Sequence, residues 1–128
     1  MSEPKAQYGN STDIITTVQK IENKIAELER ERADLIDVGI EKANCIANYD
    51  KALAVTILRI KNGDIAEYEG QSLNKLPAVL IDKIAKGIVY REMFDKEASE
   101  SVYKSKVVIM EAIRAEINAY QSVNKYIE

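Results

Sequence analysis

The sequence has no histidine and no tryptophan, one cysteine, one phenylalanine, five glycines and two prolines in 128 residues. Each shortage removes something. Without histidine, and with Cys45 as the sole thiol, one chain cannot build the usual zinc or haem site or a Cys-His nucleophile pair. A carboxylate-only magnesium site is left open. Glycine is too sparse and too scattered for a P-loop or a dinucleotide fingerprint. An intramolecular disulfide is excluded, and no apolar run approaches the ~20 residues needed to span a bilayer. No secretory signal is read at the charged beginning, so a soluble protein of the cytosol is expected. With 18 basic against 21 acidic residues the net charge is -3. That balance lacks the basic footprint of a duplex DNA binder, since phosphate neutralisation supplies much of such affinity. No catalytic constellation emerges, and no cofactor or metal is expected; the reading is that this is not an enzyme.

What is present is helix-forming. Apolar residues make up 46% and charged residues 30%, which is a folded or coiled-coil composition. Residues 1–11 carry no periodicity and read as a flexible arm. "NSTD" at 10–13 is a helix start, because short polar side chains cap free amides. From there Ile14, Val18, Ile21, Ile25, Leu28, Arg32 and Leu35 recur at alternating steps of four and three, a heptad seam with one charged intruder. The frame continues through Gly39, Lys42, Ile46, Tyr49, Leu53, Thr56 and Ile60. A second stripe of Ile36, Ile40, Ala43, Ala47, Ala54 and Ile57 opens beside it, widening the apolar face. The first helix is therefore predicted over about 12–62, roughly 75 Å at 1.5 Å per residue. Gly63 stops it, and Gly39 marks a bend or a close crossing.

Residues 63–75 read as a loop. Pro77 suits the first turn of a short helix over about 76–87, which Gly87 kinks or ends. A long helix follows over about 88–127. The predicted fold is all-α: a long antiparallel helical hairpin with a coiled-coil arm and a short helix at the turn, within one helical domain over 12–128. One hairpin is a thin core. The seam of Ile14, Val18, Ile21, Ile25, Leu28 and Leu35 demands a partner, so a homo-oligomeric bundle, dimer or higher, is expected.

Two clusters have competing readings. Asn44, Asn48 and Asp50 sit in an otherwise apolar stretch; as polar residues at a seam edge they set register, and as amide donors they bind a polar small molecule. Arg59 and Lys61 close the first helix, and Lys86, Tyr90 and Arg91 follow Pro77. Brought together around the loop they would hold a phosphate or nucleotide; otherwise they complement helix dipoles and meet solvent.

The segments "AKGIVYRE", "YKSKVVIMEAI" and "AEINAYQSVNKYIE" make residues 49–128 resemble small all-helical proteins of phages and prophages of Gram-positive bacteria. These are packing patterns, and they bring no site residues with them. The resemblance implies a setting in which small proteins act by binding. A non-enzymatic protein that counteracts bacterial immunity is expected from it, by sequestering a nucleotide-type signal or by occluding a host defence protein. The alternatives are an accessory of phage single-strand annealing or replication, which needs a basic groove with stacking tyrosines, and a structural coiled-coil adaptor. Nucleic acid is the less favoured partner, given the acidic net charge.

Overall fold

The computed structural model describes residues 11–127 and is all-α apart from one very short β-hairpin. Helix α1 spans Ser11–Lys61, α2 spans Ala78–Ile88 and α3 spans Tyr90–Ile127. Between α1 and α2, strand β1 (Glu67–Tyr68) pairs antiparallel with β2 (Gln71–Ser72), with Tyr68 opposite Gln71. The flexible arm read over 1–11 lies almost wholly outside the described residues.

Helix α1 persists for 51 residues because nothing in it stops a helix: it holds no proline and only Gly39. Asp13 in its first turn and Arg59 and Lys61 in its last complement the helix dipole. At its end the Gly63 amide donates to the Ile60 carbonyl and the Ile65 amide to the Arg59 carbonyl, with Gly63 at φ +87°. A residue with a side chain would be strained there, so the "KNG" stop works through glycine's left-handed conformation.

The predicted loop holds the β-hairpin. Its two central residues, Glu69 (φ 48°) and Gly70 (φ 79°), both have positive φ, the signature of the two-residue turns whose twist matches paired strands. Pro77 precedes α2 as its cap residue, with φ -61° and ψ 152°, and its carbonyl accepts the Leu80 and Ile81 amides. The helix passes through Gly87 and ends at Val89, whose amide donates to Ala85.

The chain divides into two compact units, one of Val38–Tyr103 and one of the described residues up to Asp37 with those from Lys104. In the second of these, the early part of α1 runs antiparallel to the later part of α3. Leu28, Met110, Ile113 and Ile117 are its buried residues, with Leu35 packed against them. Lys24 bonds Glu27 at 3.0 Å and Glu116 at 3.2 Å, while Lys106 bonds Glu31 at 3.0 Å and also Asp34. These carboxylate partners hold both ammonium groups above the ordinary lysine value. Part of the seam's demand is thus met inside the chain: Leu28 and Leu35 face α3. Ile14 and Ile21 are half-buried, whereas Val18 and Ile25 stay 39% and 43% exposed. Thr17, Lys24 and Glu31, one residue before Val18, Ile25 and Arg32, are half-buried instead, and Lys24 and Glu31 each reach an opposite charge on α3.

In the unit of Val38–Tyr103, Ile60, Leu73, Ile81 and fully buried Ala85 form the core, supported by Leu53, Ile57, Ile65, Tyr68, Leu76, Ile84 and Ile88. The β-hairpin closes it from one side: the Tyr68 hydroxyl lies where a side chain on Gly87 would begin, 3.2 Å from an ideal Cβ. At Gly39 the ring of Tyr103 lies 3.4 Å from such a Cβ, so this glycine marks a close crossing of α1 with α3. The Lys42 ammonium sits 4.5 Å from the Tyr103 ring centre, and Lys96 sits 4.9 Å from that of buried Tyr49.

Candidate functional site

The surface feature richest in chemistry lies in the unit of Val38–Tyr103, between α1 and the start of α3. On α1, Val38, Glu41, Cys45, Asn48, Ala52 and Val55 succeed one another at steps of three or four and so share a face. Glu92, Asp95, Ser99 and Val102 do the same on α3, with Ala98 beside Ser99. Two cavities open between these rows. One, of about 460 Å³, is lined by Val38, Glu41, Asn44, Cys45, Asn48, Asp95, Ala98, Ser99 and Val102. The other, of about 450 Å³, is lined by Cys45, Asn48, Lys51, Ala52, Val55, Glu92 and Asp95. They share Cys45, Asn48 and Asp95, and therefore form one groove.

Its floor is apolar or weakly polar, from Val38, Cys45, Ala52 and Ala98. Ser99 is buried and spends its hydroxyl on the Lys96 carbonyl at 2.8 Å. The Cys45 thiol is half-buried and donates weakly to a Glu41 carboxylate oxygen at 3.9 Å. Glu41, Glu92 and Asp95 bring three carboxylates against one cation, Lys51. No ion pair engages any of these four among the described residues, where the ion pairs centre on Lys24, Arg32, Lys86 and Lys106. Among the described residues no three His, Cys, Asp or Glu side chains gather closely enough to hold a metal ion.

The polar cluster read from the sequence separates here. Asn44 and Asn48 are exposed and line the groove, whereas Asp50 is exposed and lines neither cavity. The basic cluster separates too. A third cavity, of about 500 Å³, lies beside the β-hairpin over Ile60, Ile65, Leu73 and Ile81, with Lys61 and Lys75 at its rim. Of the five basic-cluster residues Lys61 lines it; Arg59, Lys86, Tyr90 and Arg91 do not. Lys86 bonds Asp82 at 3.1 Å, which raises its pKa. The Arg91 guanidinium stands 5.9 Å from the ring centre of its neighbour Tyr90, itself 62% exposed. Lys75 was not singled out from the sequence; its positive φ of 60° places it at the turn into α2, and only the folded β-hairpin brings it beside Lys61.

No helix of the described residues is long and apolar enough to cross a membrane. Comparison with protein-family models, with curated proteins and with solved structures finds no match.

Proposed function

We propose that the chain is a non-enzymatic helical binding protein that self-associates and acts by covering a protein target. The observation that carries this reading is apolar side chains left in solvent. In the unit of Val38–Tyr103 alone, Ile40 is 57% exposed, Leu58 63%, Val79 68% and Phe94 69%. Isolated exposed apolar residues are ordinary, but several large ones on regular helices favour association with another macromolecule. Of the stripe of Ile36, Ile40, Ala43, Ala47, Ala54 and Ile57 read from the sequence, all but Ile57, which packs against the core, lie on exposed positions of α1, which supports a second helical partner for that face. A target belonging to bacterial immunity is the part of the proposal that rests on the resemblance to small phage proteins.

The test is native mass spectrometry of the protein purified from cells with an active defence system, alongside phage plating on those cells. A retained protein, lost in Leu58→Glu and Phe94→Glu variants that still fold, is the expected result. A retained nucleotide instead would establish signal sequestration. Recovery of a bare monomer, with plating unchanged, would sink both versions.

A further inference from the structure

We infer that the groove between α1 and α3 in the unit of Val38–Tyr103 is a seat for a basic amphipathic helix of a partner protein. The inference rests on the protein-binding reading above and names the chemistry of the partner. Three observations carry it. The groove is continuous through Cys45, Asn48 and Asp95, and from Val38 to Val55 it follows α1 for about 25 Å, the length of five helical turns. Its floor of valine, alanine and cysteine side chains, set at helical steps, matches the way a third helix lays an apolar face into a two-helix groove.

Charge decides what kind of helix. Glu41, Glu92 and Asp95 line the groove and Lys51 is the one opposing cation lining it. Among the described residues none of the three carboxylates has an ion pair, in contrast to Glu31, Asp34 and Glu116, which are engaged by Lys106 and Lys24. An incoming helix with lysine or arginine flanking its apolar stripe would complete these pairs; an acidic one would be repelled. Asn44 and Asn48, exposed at the same wall, can donate or accept and so tolerate either partner polarity.

Cys45 makes the test specific, because it is the sole thiol of the sequence and lines both cavities. The probe is a fluorescein-labelled designed peptide of about five helical turns, with leucines on one face and lysines flanking them, against a sibling carrying glutamates at the lysine positions. Anisotropy titration reads affinity, and the rate of Cys45 reaction with a thiol reagent reads occupancy. The expected result is binding of the basic peptide alone, slowing of Cys45 modification, and affinity weakened about tenfold or more in Glu41→Lys/Asp95→Lys. Ala98→Trp fills the groove without changing charge and should abolish binding as well; circular dichroism confirms that both variants stay helical. Equal binding of both peptides, or basic-peptide binding that leaves Cys45 reactivity unchanged, overturns the inference. So does thiol protection that appears with protein concentration alone, which would make the occupant a second copy. A retained partner in the mass spectrometry described above, together with a silent peptide titration, would leave the binding function standing and remove this groove from it.

Discussion

The two compact units are built from the same two helices and are held by different means. Where early α1 meets late α3, the apolar contact is narrow, centred on Leu28, Leu35, Met110, Ile113 and Ile117, and lysine–carboxylate clusters stand beside it. In the unit of Val38–Tyr103, α2 and the β-hairpin add a third side. There Ala85 is fully buried, with Ile60, Leu73, Ile81 and Val89 at 8% exposure or less. A pair of helices has only one seam to bury, and charged pairs then specify which residues meet. Adding one short helix and four strand residues creates an enclosed core.

The comparison is broken most directly by core truncation. Ile60→Ala is expected to cost about 3 kcal/mol, because the cavity it leaves is walled on several sides. Leu28→Ala is expected to cost nearer 2 kcal/mol, since a two-helix contact can close over the gap. Urea denaturation gives the totals, and amide hydrogen exchange shows where protection is lost. Equal costs, or protection lost everywhere alike, would refute the distinction. Gly70→Ala comes next: at φ 79° a side chain is strained by about 1–2 kcal/mol, and exchange should rise in the β-hairpin first.

The helical glycines sharpen the same contrast with smaller effects. Gly39→Ala places a methyl at ordinary contact with the Tyr103 ring, so the gain in helix propensity, about 1 kcal/mol, should be realised as added stability. Gly87→Ala meets the Tyr68 hydroxyl at 3.2 Å and should come out near neutral; adding Tyr68→Phe should recover the gain. The smallest effect is electrostatic. Lys24 and Lys106 are held above their ordinary pKa of 10.5 by paired carboxylates. Their contribution is complete below that value and is lost as pH rises through the higher folded-state value. Thermal melts should therefore fall modestly above pH 10.5, and exchange should locate the loss in the unit that contains both lysines. Added salt should act in the same direction.

Much of this architecture could be read from residue order, and the failures have physical causes. The end of α1 was legible because "KNG" carries local chemistry, a glycine that takes the left-handed conformation. Half of the seam was legible as well, at Ile14, Ile21, Leu28 and Leu35. Val18, Ile25 and Arg32 stay exposed in the single chain, and apolar periodicity cannot see that Lys24 and Glu31 find opposite charges on a segment far along the chain. The β-hairpin escaped notice since Glu69-Gly70 is a poor version of the turn signal usually carried by Asn-Gly or Asp-Gly. At the candidate site, the oddity of Asn44, Cys45 and Asn48 was visible in the sequence. That Glu92 and Asp95 join them is a property of the fold.

The chain order of the two units has a consequence for how the molecule forms. Val38–Tyr103 is a continuous stretch, while the other unit is assembled from segments on either side of it. Its Lys24–Glu116 contact closes over 92 residues. Loop-closure entropy grows by about 0.6 kcal/mol per doubling. Bringing those ends together in an unfolded chain therefore costs about 1 kcal/mol more than joining Ile60 to Ala85. The continuous unit is the natural nucleus, and once it has formed, the closure left to the outer segments is short. Mutations at Ile60 or Ile81 should slow folding, while mutations at Leu28 or Ile113 should mainly speed unfolding.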